Sequence, residues 1–96
     1  MKDVMILIGA GQIGMAIARR MGQGKKIVIG DKSVDNANKI ANIMRKAGFD
    51  TYAMEMDLSN RQSILNLIEK ALSFGDVTML VNAAGVSPSQ VQLKLY

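Results

Sequence analysis

Val4-Met5-Ile6-Leu7-Ile8-Gly9-Ala10-Gly11-Gln12-Ile13-Gly14 carries the strongest fold signal in this chain. An apolar run suited to one buried strand breaks into G-x-G-x-x-G, and a helix-periodic stretch opens directly behind it. The next apolar run, Ile27-Val28-Ile29, leads to Asp31, which stands 22 residues beyond Gly9. A dinucleotide-binding βαβ unit asks for an acid about 20 residues after the first glycine. Glycines alone mark turns of many kinds; the order strand, turn, helix, strand, acid gives this set its meaning.

Each residue then has a physical task. Gly9 allows a sharp turn after the strand, Gly11 lets a pyrophosphate approach a backbone without Cβ, and Gly14 lets the helix pack closely. A helix starting near Gln12 and Ile13 directs unpaired N–H groups and the positive end of its dipole at the phosphates. Asp31 is expected to accept hydrogen bonds from the adenosine ribose hydroxyls and to repel a 2′-phosphate, which favours NAD over NADP. Lys32 pulls the other way, because a cation there can pair with such a phosphate. The bland alternatives are a ligand-free βα turn and, for Asp31, a solvated acid before a helix cap.

Working outward, strand candidates begin near Val4, Ile27, Thr51 and Val77, at steps of 23, 24 and 26 residues. Between them, Ile13, Ala16, Ile17 and Met21 share one helical face, and Ala37, Ile40, Ala41, Met44 and Ala47 form a second stripe ending at Gly48. A third segment carries Ile64, Leu65, Leu67, Ile68, Ala71 and Leu72, a wide apolar face that predicts deep burial. Ser33 is expected to cap the second helix, and Ser59-Asn60-Arg61-Gln62 fits a capping box on the third. The expectation is one α/β domain over residues 1–96, a Rossmann-like parallel sheet of four strands, order 3-2-1-4, with helices on both faces. The nearly unbroken apolar runs at residues 4–8 and 77–81 suggest strands covered on both faces.

Composition removes whole classes of chemistry. The chain has no cysteine and no histidine, so thiolate zinc sites, disulfides, a cysteine nucleophile and a Ser-His-Asp triad are excluded. We expect no metal site and no catalytic residue in this chain. Absence of cysteine fits a cytoplasmic setting. No apolar run reaches the roughly 18 residues of a membrane span, and the apolar start reads as a strand rather than a secretory signal. Net charge is +4, with nine Lys/Arg against four Asp/Glu in the first 50 residues. Arg19-Arg20 and Arg45-Lys46 fall in the last turns of two predicted helices, where cations meet the negative dipole end, so nucleic-acid binding is not expected.

Two further segments belong at the carboxyl ends of strands, where ligands of open α/β sheets bind. Asp57-Leu58 follows the third strand, and Asn82-Ala83-Ala84-Gly85 closes the fourth with residues too small to block a cofactor. Together with the glycine turn and Asp31, the runs Met56-Asp57-Leu58-Ser59 and Leu80-Val81-Asn82-Ala83-Ala84-Gly85 resemble the short-chain dehydrogenase/reductase family. The resemblance covers residues 4 to about 90, but only the N-terminal third or so of a typical member. It implies an NAD(P)-dependent oxidoreductase in which Asp57 contacts the adenine amino group, Leu58 lies against the ring, and Asn82, Ala83, Ala84 and Gly85 run along the adenosine side.

Three departures qualify what the resemblance implies. Ile8 stands where the family's T-G-x-x-x-G-x-G has threonine, and the glycine spacing is G-x-G-x-x-G. Ala83 replaces the second asparagine of N-N-A-G. The catalytic Tyr-x-x-x-Lys pair is missing: Tyr52 has Met56 four residues on, and Tyr96 is the last residue. The reading is therefore a truncated cofactor-binding part, inactive alone. Ser87 and Ser89 read as loop residues around Pro88. A saccharopine-dehydrogenase-like Rossmann reductase fragment is the competing enzyme reading, and a non-enzymatic nucleotide-sensing or interaction module is the third. Four strands leave residues 77–81 as an apolar edge, so self-association or a partner chain is expected there. Alternating apolar and polar residues at 91–96 fit a short strand over that edge and equally an out-of-frame ending.

Overall fold

The computed structural model describes residues 2–84; Gly85, Ser87, Ser89 and residues 91–96 lie outside that range. Strands and helices alternate as β1 (Asp3–Ile8), α1 (Gln12–Met21), β2 (Lys26–Asp31), α2 (Val34–Lys46), β3 (Asp50–Glu55), α3 (Arg61–Phe74) and β4 (Asp76–Asn82). All neighbours pair parallel in the order β3-β2-β1-β4. The expected sheet and strand order are therefore present.

Alternation of side chains along the strands builds two cores, one on each face of the sheet. Met5 and Leu7 of β1 join Ile27 and Ile29 of β2 under α1 and α2, with Ala18, Ala37, Ala41 and Met44 supplying the helical side. Val4, Ile6 and Ile8 point the other way with Val28, onto Leu67 and Ala71 of α3. On α1 the buried positions are Gly14 and Ala18, while Ala16 faces solvent, which corrects the face expected from periodicity. Small residues let the helix axis approach the sheet, so they take the inner positions and push larger ones to the flanks. Ala47 is exposed beyond the end of α2, and Gly48 follows it with φ +95°, the left-handed stop read from sequence.

Three other expectations change. Asn60, not Ser59, caps α3: its side chain accepts from the N–H groups of Gln62 and Ser63, at 3.0 and 3.2 Å. Ser59 instead turns its hydroxyl to Asp57 Oδ1 at 2.7 Å. The wide apolar face of α3 is only half used, since Leu67 and Ala71 are buried but Leu65, Ile68 and Leu72 are 42%, 39% and 55% exposed. β4 is likewise an apolar strand without full cover: Val81 alone is fully buried, and Val77, Met79 and Leu80 are half-buried. A single helix spans that face of the sheet among the described residues, too little to hide every apolar group β4 and α3 present.

Candidate functional site

The four strands run the same way, so Ile8, Asp31, Glu55 and Asn82 finish at one end of the sheet. Connections from β1 go to β2 on one side, and β4 returns on the other, which makes the end of β1 the place where the winding reverses. Backbone hydrogen bonds carry the ladder past the strands: Gly9 N–H donates to Gly30 O, Ala83 N–H to Ile8 O, and Met56 N–H to Asp31 O, each at 2.8 Å. The glycine turn is thus clamped between its two neighbouring strands.

Gly9 sits at φ +98°, and an added Cβ would lie 2.7 Å from Ala84 N and 2.9 Å from Ala83 C. Only hydrogen fits. Gly14 is needed for a related reason, because a Cβ there would meet Gly9 O at 2.6 Å, so the helix start rides on the turn itself. Gly11 is different. Among the described residues nothing lies within 4 Å of its Cβ position, and its backbone is extended. Gly11 is the N-cap of α1 without any side-chain cap, and among the described residues the first N–H groups of that helix have no side-chain partner.

Beside the turn lies a hollow of about 190 Å³ lined by Ile8, Gly9, Gly30, Asp31, Lys32, Met56, Asp57, Leu58 and Ala84. Residues from the ends of β1, β2 and β3 and the segment after β4 therefore meet here. Leu58 is 48% exposed, an apolar side chain left at the rim. Gly11, Gln12, Ile13 and Gly14 do not line the hollow but form the adjoining helix start. Asn82 and Ala83 do not line it either; Asn82 Oδ1 accepts from Ala84 N–H at 3.1 Å and shapes the turn after β4.

Two carboxylates set the electrostatics. Asp31 Oδ2 accepts from Ala10 N–H at 2.9 Å and Oδ1 from Ser33 N–H at 3.2 Å. Asp57 Oδ1 accepts from both the hydroxyl and the N–H of Ser59, while Asp57 N–H donates to Ser63 Oγ at 2.9 Å. The Ser59 hydroxyl first, then its N–H, hold the Asp57 carboxyl below the usual carboxylate range; partial burial opposes them, and the Lys32 charge adds a smaller push downward. Ala10, Ser63 and Gly30 were not singled out by sequence reasoning, and Met56 only as part of the run around Asp57. Gly30 could have been, since it precedes Asp31; a Cβ there would press on Met56 and Leu67 at 3.0 and 3.1 Å. Ala10 carries no sequence signal, because it acts through its backbone across 21 residues.

Tyr52 lies on β3 against Phe74, with ring centroids 5.4 Å apart, a packing role remote from the hollow. Among the described residues no group of His, Cys, Asp and Glu could hold a metal ion, and no helix is long and apolar enough to cross a membrane.

Parallel sheet, strand order and glycine turn define a Rossmann-type α/β fold. The family model for short chain dehydrogenase matches residues 3–95, and the chain belongs to that family. Short-chain dehydrogenase/reductase bsc3 of Alternaria brassicicola is 38% identical over 87 residues, covering 91% of this chain and 32% of its own length. A short chain dehydrogenase/reductase from Burkholderia phymatum, solved in complex with NAD, superposes with a TM-score of 0.74 at 28% identity, over 82% of this chain and 29% of that one. A variant of the actinorhodin polyketide ketoreductase, solved with NADPH, gives a TM-score of 0.82 at 24% identity, over 95% and 38%, a likeness of fold. The chain spans about a third of the length of these proteins.

Proposed function

We propose that this chain is the dinucleotide-binding part of a short-chain dehydrogenase/reductase, with NAD as its cofactor. The observation that carries the reading is the convergence of the glycine turn, Asp31, Asp57 and Leu58 on one hollow at the reversal point of the sheet. In this assignment Gly9, Gly11, Gln12, Ile13 and Gly14 receive the pyrophosphate at the start of α1. Asp31 and Lys32 flank the ribose, and Asp57 and Leu58 take the adenine, with Ala84 across the hollow. Asn82, Ala83 and Gly85 continue the adenosine side, Gly85 on resemblance alone.

Bound NAD would supply the hydride-accepting nicotinamide; this chain's residues would bind and orient it. A tyrosine acid/base with a lysine four residues on is absent from the sequence, so we place the catalytic groups in the part of its relatives that this chain does not span. The chain alone then binds cofactor without oxidising an alcohol. A cysteine-free sequence supports a cytoplasmic setting.

The preference for NAD follows from charge. A 2′-phosphate beside Asp31 meets repulsion of about 1 kcal/mol per charge pair at ~4 Å even in bulk water, and more in a partly enclosed hollow; Lys32, which lines the same hollow, offsets part of it. Calorimetric titration should show binding of ADP and NAD, with NADP weaker. A folded chain with no affinity for NAD or ADP removes the reading.

The half-covered β4 and the exposed Leu65, Ile68 and Leu72 support self-association or a partner chain at this edge. Light scattering over a range of concentrations should show a mass above that of one chain. A monodisperse monomer at high concentration refutes it.

A further inference from the structure

Asp31 does more in this fold than the ribose role assigned to it. Its two oxygens are already engaged in the free protein: Oδ2 with Ala10 N–H in the glycine turn, Oδ1 with Ser33 N–H at the start of α2. Ala10 is buried, 7% exposed, and among the described residues its N–H has no other acceptor. The turn in turn carries Gly9 against Ala84 and Gly14 against Gly9 O, so its path leaves little slack.

We infer that Asp31 is a positioning residue for the pyrophosphate turn, one carboxylate serving both the order of the glycine loop and the recognition of the ribose. This rests on the dinucleotide reading above and extends it. The Asp31 side chain cannot rotate out of the hollow to admit a 2′-phosphate without leaving a buried amide unpaired. Selection against a phosphorylated ribose is therefore built into the turn and is not an independent surface choice. Removing the carboxylate damages the neighbouring pyrophosphate subsite as well as the ribose subsite.

Inorganic pyrophosphate, which has no ribose, separates the two roles. Coulomb's law alone predicts that deleting a nearby carboxylate tightens an anion. Loss of loop order predicts the opposite sign. In Asp31→Ala both acceptors are gone, so Ala10 N–H and Ser33 N–H lose their struts together. We expect Ala10 N–H to exchange with solvent at least tenfold faster in Asp31→Ala, and pyrophosphate to bind at least threefold more weakly. Asp57→Asn, in the same hollow but without contact to the turn, should leave Ala10 exchange unchanged. In the unsubstituted chain, a scalar coupling between Ala10 nitrogen and the Asp31 carboxyl carbon reads the same contact even if the variant folds poorly. Unaltered Ala10 exchange in Asp31→Ala, equal or tighter pyrophosphate binding, or no coupling in the parent overturns the inference. A parent chain that shows the coupling but binds neither ADP nor pyrophosphate overturns the dinucleotide reading and leaves the strut in place.

Discussion

Replacing Gly9 and Gly11 by alanine, one at a time, separates folding from ligand binding within a single turn. At Gly9 the left-handed backbone, φ +98°, costs an L-residue about 1–2 kcal/mol. The added Cβ also meets Ala84 N at 2.7 Å and Ala83 C at 2.9 Å. These are backbone atoms held by the ladder bond from Ala83 N–H to Ile8 O, so they cannot swing aside as a side-chain tip would. Overpacking of that kind adds about 1–3 kcal/mol. The sum, about 2–5 kcal/mol, is a large share of the 5–15 kcal/mol typical of a domain, and lowers Tm by roughly 10 °C or more.

Gly11→Ala is the counterpart. Among the described residues nothing crowds its Cβ position, and its φ of −119° suits any residue. Alanine is a poorer N-cap than glycine by a fraction of a kcal/mol, while the stiffer unfolded chain returns about 0.4–1 kcal/mol. Stability should change by less than about 0.5 kcal/mol. A methyl group facing the proposed pyrophosphate should still weaken ADP by tenfold or more, which is about 1.4 kcal/mol. Urea denaturation measures the first quantity and calorimetry the second. Gly9→Ala with the stability of the parent, or Gly11→Ala with undiminished ADP affinity, refutes the division of labour.

Asn60→Ala should cost about 1 kcal/mol in urea denaturation, because two N–H groups of α3 lose their acceptor, whereas Ser59→Ala should cost less than half of that. Equal losses would restore the capping box read from sequence. Acid should remove a modest stability increment. Asp57 is held low by Ser59, and Asp50 by hydrogen bonds from Lys26 and then Lys2, so both carboxyls release protons more readily when folded. A depressed folded value contributes stability above the unfolded value, about pH 4, and that contribution fades as pH falls through the folded value. Denaturation between pH 7 and 2 should show the decline only below about pH 4. Both groups face solvent, so Asp50→Asn should cost under about 1 kcal/mol at pH 7 in ordinary salt, and a larger loss would show the ion pairs to be stronger than surface geometry allows.

Where the sequence misled, the cause lies in geometry that periodicity does not encode. A helical repeat tells which residues share a face, not how close the neighbouring element comes. Ala16 looked like the inner face of α1, yet close approach to the turn hands the innermost positions to Gly14 and Ala18, while Ile17 packs on the core at their flank. Ser59 matched a cap pattern, but the chain enters α3 one residue later, and its hydroxyl finds the stronger acceptor in the Asp57 carboxylate. Leu65, Ile68 and Leu72 read as core because hydropathy cannot tell a second covering layer from its absence.

Alternation of apolar runs with helical stripes, one glycine turn and an acid at the right distance were sufficient, from sequence, for the strand order and the parallel pairing. Those are local signals, carried by backbone freedom, periodicity and chain connectivity. Tertiary structure alone decided which glycine serves folding and which leaves room, since that depends on atoms 75 residues away at Ala84. It also decided that Asp31 reaches back to Ala10, a bond made by a backbone N–H that every residue but proline possesses and that no residue choice can announce.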